Sequence, residues 1–364
     1  MADIAALVGA GFTAVYAAML LCMLVPYEPR RRAGRPTFSV LIANAEKGRI
    51  LRKTLAAIRA ADYPQRSIEI IVIDSTGEKD VARAARTYRA KICRDTRCSG
   101  KGAALNIGIR KAGNEVLYFL DADTTPERGA FAAIASSLSD ETPVVVGITI
   151  GTNKGGMAPL LARLELVLLP VANYLFSRVF MTAGIGGRNF AIYRKRLMHL
   201  GGFRHGLTED INLNHRLFHS KSRILYHPGV RGSELVPSEL GHMFRQHERW
   251  VRGCIGEVGK AGRTDLMSVI LMFPVVVTVV YFYAFIPLLA ALFFFTGNAL
   301  ALAGVAAAML IAMYQAARYL TAAETIGAPF IASLLALFSI GVVLVVLAKM
   351  ALGIPISWYK TPKK

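Results

Sequence analysis

Cysteine is scarce: there are four in 364 residues, Cys22, Cys93, Cys98 and Cys254, at separations that fit no zinc site and supply no disulfide framework. His242 and His247 miss the i, i+4 spacing of a helical metal pair. Acidic residues are outnumbered, 24 against 43 Lys and Arg, for a formal charge of +19. No helix-turn-helix, zinc-finger or aromatic RNA-binding pattern accompanies that charge, so nucleic acid is not the expected partner. Lys and Arg instead flank apolar segments, where they suit anionic lipid and phosphorylated substrates. Glutamine is rare beside abundant Arg and Ala, a composition that fits a thermophilic source. No basic residue precedes the first apolar run, which argues against a cleaved signal peptide.

What is abundant is hydrophobicity, 54% of the chain, unevenly spread. Ile4 to Pro26 carries no charge over a length that crosses a bilayer core of about 30 Å. Arg30, Arg31 and Arg32 follow it, so the expectation is an uncleaved anchor with its amino terminus outside. Residues 1–35 then form an anchor with its basic flank, 36–264 a cytoplasmic domain, and 265–364 a second membrane part. Within that last part the apolar stretches are Leu266 to Thr296, Ala299 to Leu320 and Pro329 to Leu352.

The middle of the chain alternates short apolar runs with helical patterns. Phe38 to Asn44, Ile68 to Asp74 and the run "EVLYFLDAD" read as strands, and Arg49 to Ala61, Lys79 to Ala90 and the segment after "SGKG" read as helices. Strands that are apolar throughout predict a parallel α/β sheet covered on both faces, with ligands beyond the carboxyl ends of its strands. Asp74 and Asp121 fall at such ends, and Asp123 follows one residue later. Asp74 alone reads equally well as a turn residue. Adjacent buried anions cost several kcal/mol, about 3 or more, unless a cation accompanies them. A divalent ion shared with a diphosphate removes that cost.

Two further clusters follow: "LTEDINLNHRL", with Thr208, Glu209 and Asp210, and "RQHERWVRG", with Gln246, Arg249 and Trp250. Singly each is weak. In this order, behind an α/β half and ahead of a membrane segment, the chain resembles the family 2 glycosyltransferases, in the membrane branch that contains cellulose, hyaluronan and chitin synthases. The resemblance runs from Phe38 to Lys363 and is carried mainly by "GGFRHGLTEDINLNHRL" and "QHERW".

The resemblance implies a GT-A nucleotide-sugar fold of Rossmann-like α/β type, with transmembrane and interfacial helices. It also implies a GDP- or UDP-sugar donor and inversion at the anomeric carbon. Asp121 and Asp123 are then expected to hold Mg²⁺ or Mn²⁺ on the leaving diphosphate, Arg249 and Arg252 to add positive charge there, and Asp210 to be the general base. Glu209 and Trp250 are expected at the acceptor, and Gln246, Asp74 and Lys101 at the donor. The first strand reads "IANAEKG" where many relatives have a Pro-x-Tyr-Asn-Glu-like turn, so Asn44 and Glu46, expected at the donor's nucleotide base, match that turn only loosely. Lys101 also reads as a solvated loop lysine.

Relatives carry a cytoplasmic gating segment that folds over the donor and is preceded by a helix on the membrane surface; Trp358, Thr361 and Lys363 match it in part, which puts Thr361 and Lys363 among the expected donor-binding residues. Pro329 to Leu352 is accordingly expected to be interfacial or re-entrant, leaving three spans and a cytoplasmic carboxyl terminus. Pro159 to Phe176, apolar except for Arg163 and Glu165, is expected against the membrane, where it would help present a lipid-borne acceptor; an ordinary core helix is the other reading. The expected activity is hexose transfer, with a slight preference for GDP-mannose, onto a lipid-linked glycan. A processive polysaccharide synthase, a polyprenyl-phosphate sugar synthase and a silent membrane scaffold are the competing readings.

Overall fold

The apolar runs become strands because each sends successive side chains to opposite faces and both faces find apolar cover. In a computed structural model, residues 35–98, 100–260 and 299–355 are described, with isolated positions between 11 and 24 and at 294 and 297. Most of Ile4–Pro26 and of Leu266–Thr296, and Trp358, Thr361 and Lys363, lie outside the described residues.

The elements are β1 (Phe38–Asn44), α1 (Gly48–Arg59), β2 (Ile68–Asp74), α2 (Lys79–Thr87), β3 (Lys91–Arg94), α3 (Lys101–Lys111), β4 (Val116–Asp121), β5 (Thr125–Pro126) and α4 (Ala130–Ser137). They continue with β6 (Val144–Gly151), α5 (Met157–Val179), β7 (Phe190–Tyr193), α6 (Arg194–His199), α7 (Glu209–His219), β8 (Ile224–Glu234), α8 (Leu240–Lys260), α9 (Ala299–Ala317) and α10 (Ala322–Ala351).

One sheet of eight strands runs in the order β3-β2-β1-β4-β7-β6-β8-β5. Phe38, Val40 and Ile42 of β1 and Val116, Tyr118 and Leu120 of β4 face α1, α2 and α4, where Phe131 meets Phe38 and Tyr118 edge to face at 5.2 Å each. Leu41, Leu117 and Phe119 face α3 and α5 on the other side.

The expected parallel sheet holds for β1 to β4 and returns in the parallel pair β6–β8. β7 is antiparallel to both β4 and β6. The physical reason is the loop Ala183–Asn189, which follows the 23-residue α5 and brings the chain back to the carboxyl edge before β7 begins. The register there sets Asn44 beside Asp74, Asp74 beside Arg94, and Ala43 beside Asp121. Several side chains able to do chemistry thus share one edge.

The helical layer also departs from expectation. Pro159–Phe176 lies inside α5, which is buried rather than laid on a surface; even Arg163 and Glu165 are buried. Its apolar residues cover β6, and its charges are paired with later helices. α10 is one unbroken 30-residue helix, starting seven residues before the expected Pro329 and continuing through it, so the re-entrant form is not what the chain adopts.

A capping box fixes the start of α10: Thr321 Oγ1 and the Glu324 side chain exchange hydrogen bonds with each other's backbone N–H. One face, including Ala328, Ile331, Leu335, Ser339, Val342 and Val346, packs on the protein. The opposite face exposes Ile326, Phe330, Leu337, Ile340, Leu344 and Leu347. Length and hydropathy would let α5 or α10 cross a bilayer. Both ends of α10 are tied down: Glu324 pairs with Arg163 of α5, and Lys349 with Glu248 of α8.

Candidate active site

The two carboxylates at the end of β4 are held apart by local structure. Asp121 is the last residue of the strand, and its carbonyl accepts from Thr124 N at 3.0 Å, which folds the chain so that Ala122 is buried and both acids stay partly exposed. Lys101 begins α3 after Gly100, and its ammonium sits 2.5 Å from Asp121 Oδ1 and 3.7 Å from Glu209 Oε1. Burial opposes the charge on Lys101, but Asp121 and then Glu209 raise its pKa above the ordinary lysine value. The solvated-loop reading of Lys101 therefore gives way to a clamped cation.

The same ammonium donates to the Gly187 carbonyl at 2.9 Å, which carries the site to the loop before β7. Gly187 has φ +65°, and a methyl there would lie 2.6 Å from Asp210 Oδ2. The backbone therefore passes Asp210 at a distance that only glycine allows. Asn189 anchors this loop: its amide donates to the carbonyls of Ile148 and Val230 at 2.7 and 3.1 Å, and its oxygen accepts from Tyr118 OH at 2.7 Å.

Between these two residues is Arg188, whose Nε is 3.0 Å from Glu234 Oε2. Burial works against its charge, yet Glu234, Asp121, Asp123 and Asp210 raise its pKa in that order. Arg188 and Glu234 escaped the sequence reading. The only signal was a lone arginine behind two glycines in "GGRNF".

Glu209 and Asp210 open α7, where the helix N-terminus favours negative charge. Burial, with Asp210 adding to it, pushes the Glu209 carboxyl up against the pull of Lys101 and Arg249. Asp210 Oδ1 accepts from Ile211 N at 2.9 Å. α8 packs alongside: Gly253 lies against Thr208, and burial together with nearby Asp210 pushes the Cys254 thiol up. Arg249 donates to the Leu207 carbonyl at 3.1 Å. Trp250 stands on the same helix with its ring 4.9 Å from His247, and Gln246 lies one turn earlier, on the same side as Arg249.

Asp74 behaves differently. It is buried, and its oxygens accept from Asn44 Nδ2, Thr76 N, Thr76 Oγ1 and Gly77 N at 2.8–3.1 Å. Asn44 is also buried, and its amide exchanges bonds with the Glu46 backbone at 3.1 and 3.2 Å. Asn44 and Asp74 thus hold the turns after β1 and β2, and Glu46 is half-buried on the first of them.

Among the described residues no three His, Cys, Asp or Glu side chains come together as a ready metal site. Asp121 and Asp123 supply two hard oxygen donors, the right chemistry for Mg²⁺ or Mn²⁺ when a diphosphate completes the shell. Thr124 Oγ1, Thr208 Oγ1 and Arg249 Nε are buried with no hydrogen-bond partner among the described residues. Such orphaned polar atoms are what a site left open for a polar ligand shows.

A family model described as glycosyltransferase-like family 2 matches residues 36–253, more than half of the chain and all of the elements just described up to Gly253. The chain belongs to glycosyltransferase family 2.

This family 2 chain is 28% identical over 234 residues to a probable glycosyltransferase, YdaM, of Bacillus subtilis, covering 60% of the chain and 55% of that protein. It is 25% identical over 278 residues to a poly-beta-1,6-N-acetyl-D-glucosamine synthase of Staphylococcus epidermidis, covering 72% and 65%. The chain thus spans a little over half to two thirds of these relatives. Its fold is similar to that of the mannosyltransferase PcManGT from Pyrobaculum calidifontis, solved with GDP-Man and Mn²⁺, at a TM-score of 0.60 and 18% identity over 95% of the chain and 99% of that structure. The GT-A-like expectation is met by that likeness.

Proposed function

We propose that the chain transfers a hexose from a GDP- or UDP-sugar, with GDP-mannose the first to test, onto a lipid-linked glycan at the cytoplasmic membrane face. The observation that carries this is the gathering of Asp121, Asp123, Glu209 and Asp210 around Lys101 and Arg188 on the carboxyl edge of the sheet. Asp210 takes the proton from the acceptor hydroxyl, leaving its oxygen to attack the anomeric carbon as the diphosphate departs. Glu209 and Trp250 contact the acceptor sugar. Lys101, Arg188, Arg249 and Gln246 face the donor side, where fixed cations offset the charge of the departing diphosphate.

Asp121 and Asp123 would hold Mg²⁺ or Mn²⁺, and when bound the ion supplies Lewis-acid stabilisation of the leaving group. Asn44, Asp74 and Glu46 shape the nucleotide end of the pocket through the turns they hold.

Membrane association is supported by the apolar outer face of α10 and by the similarity to a polysaccharide synthase. Because α5 and α8 of the catalytic domain hold both ends of α10, we read α10 as lying on the membrane surface with its apolar face in lipid. The amino terminus is then outside and the carboxyl terminus cytoplasmic. Cleavage of the tail by protease added to right-side-out vesicles would contradict that topology.

The deciding assay is nucleoside diphosphate release by the detergent-purified chain, across GDP- and UDP-sugars with Mn²⁺ or Mg²⁺ and a lipid extract as acceptor. Release from one donor, abolished by chelator, is expected; no release from any donor would sink the proposal. The second reading, processive synthesis from a UDP-sugar, is favoured by the 25% identity to the N-acetylglucosamine polymer synthase. A ladder of long products, in place of single additions, would select it.

A further inference from the structure

A cavity of about 440 Å³ opens between the loop before α7, the carboxyl half of α8 and the end of α10. Its walls are Leu207, Arg252, Gly256 and Glu257 on the catalytic side, and Met350 and Ile354 on the side of α10. Leu207 is three residues from Asp210, so one wall belongs to the catalytic loop. The other wall continues the helix whose outer face is exposed and apolar.

Two features of the cavity have no internal explanation. Gly256 lies inside α8, where glycine is destabilising relative to alanine, yet a methyl there would meet nothing within 4 Å. Its missing side chain serves no packing need and leaves space. Arg252 makes no ion pair or hydrogen bond among the described residues, whereas Glu257 accepts from Asn212 Nδ2 at 2.7 Å. The cavity thus offers a cation beside an apolar wall, with the Glu257 carboxylate on the catalytic side held by Asn212.

We propose that this cavity seats the phosphate and the first part of the hydrocarbon chain of a prenyl-phosphate-type lipid that carries the acceptor. Arg252 meets the phosphate, and Met350 and Ile354 meet the chain as it passes toward the lipid-facing side of α10. The sugar end is thereby directed past Leu207 to Asp210. This rests on the transferase reading above. It moves Arg252 from the leaving diphosphate, where the family resemblance put it, to the phosphate of the acceptor.

The test is photolabelling of the full chain in detergent with a benzophenone-bearing prenyl phosphate, mapped by peptide mass spectrometry. Label is expected within 350–355, reduced at least tenfold by excess prenyl phosphate but not by the prenyl alcohol or by inorganic phosphate. Arg252→Gln should lower labelling about tenfold, and Gly256→Leu should abolish it. Gly256→Ala should keep it and melt no earlier than the parent.

Equal competition by the alcohol, label only on the outer face of α10, or label unchanged in Gly256→Leu would each overturn the site. Competition by inorganic phosphate would reassign it to a free anion and overturn the lipid. Label that appears only after removal of residues 356–364 would assign the cavity to the tail and likewise overturn it. Labelling does not require turnover, so a chain that labels as expected but releases no nucleoside diphosphate would refute the transferase reading and leave this site standing.

Discussion

Asp74 and Asp121 end strands β2 and β4 on either side of β1 in one sheet, and their surroundings could hardly differ more. Asp74 is enclosed and spends its oxygens on two backbone N–H groups, a hydroxyl and an amide nearby, with the exposed Arg94 on the next strand at 3.4 Å as a weaker fifth partner. Asp121 remains partly open and is answered by a lysine that also serves Glu209 and the Gly187 carbonyl. A carboxylate satisfied by its own turn stabilises the fold. A group of carboxylates balanced by shared cations stores charge that substrate can rearrange.

The sharpest way to break the contrast is Asp210→Asn, which should lower turnover about 10²–10⁴-fold with the melting temperature unchanged or slightly raised, since one of several crowded charges is removed. Nucleoside diphosphate release and thermal melting of the same preparation check it. Asp74→Ala should do the reverse. Loss of the turn's acceptor costs about 2–3 kcal/mol of stability, while the activity of the folded fraction falls less than tenfold. An Asp74→Ala protein that melts normally but is inactive would end the distinction.

Gly187→Ala places a methyl against Asp210 Oδ2 at a positive φ, and a loss of about tenfold in kcat is expected, with donor affinity retained. His227 supplies the smallest test, on the self-satisfied side of the comparison. Its Nδ1 accepts from Gly229 N at 2.8 Å, and burial lowers its pKa from 6.5 to about 4. A histidine held neutral in the fold contributes stability above its unfolded pKa and loses it as pH falls through the folded value. Melting temperatures should therefore decline between pH 6.5 and about 4, and His227→Gln should flatten part of that decline.

Much of the first half of the fold could be read from the sequence because β1, β2 and β4 are apolar on both faces and the helices between them carry clear periodicity. β3 could not: "KICR" is polar and largely exposed, and it pairs only because β2 offers an edge. The antiparallel β7 was hidden because direction depends on the path of a loop, which no periodicity records. Pro159–Phe176 looked membrane-bound because a helix buried all round and a helix in lipid share one composition.

At the site, Asp121, Glu209, Asp210, Lys101 and Arg249 converge because ordered motifs at strand and helix ends share an edge. Arg188 and Glu234 were not readable, since what marks them is proximity to carboxylates distant in sequence. The turn duty of Asn44 was likewise invisible until its hydrogen bonds were placed, whereas a turn role was one of the two readings open for Asp74.

The two ion pairs at the ends of α10 make it a strut pinned at both ends. A helix turns about 100° and rises about 1.5 Å with each residue. One inserted alanine near its middle would therefore swing Lys349 away from Glu248 while leaving Glu324 on Arg163, whereas an insertion of seven residues would restore the angle but overshoot by about 10 Å. The span between the pins is a built-in gauge, and it ties the catalytic domain to a helix of one fixed length.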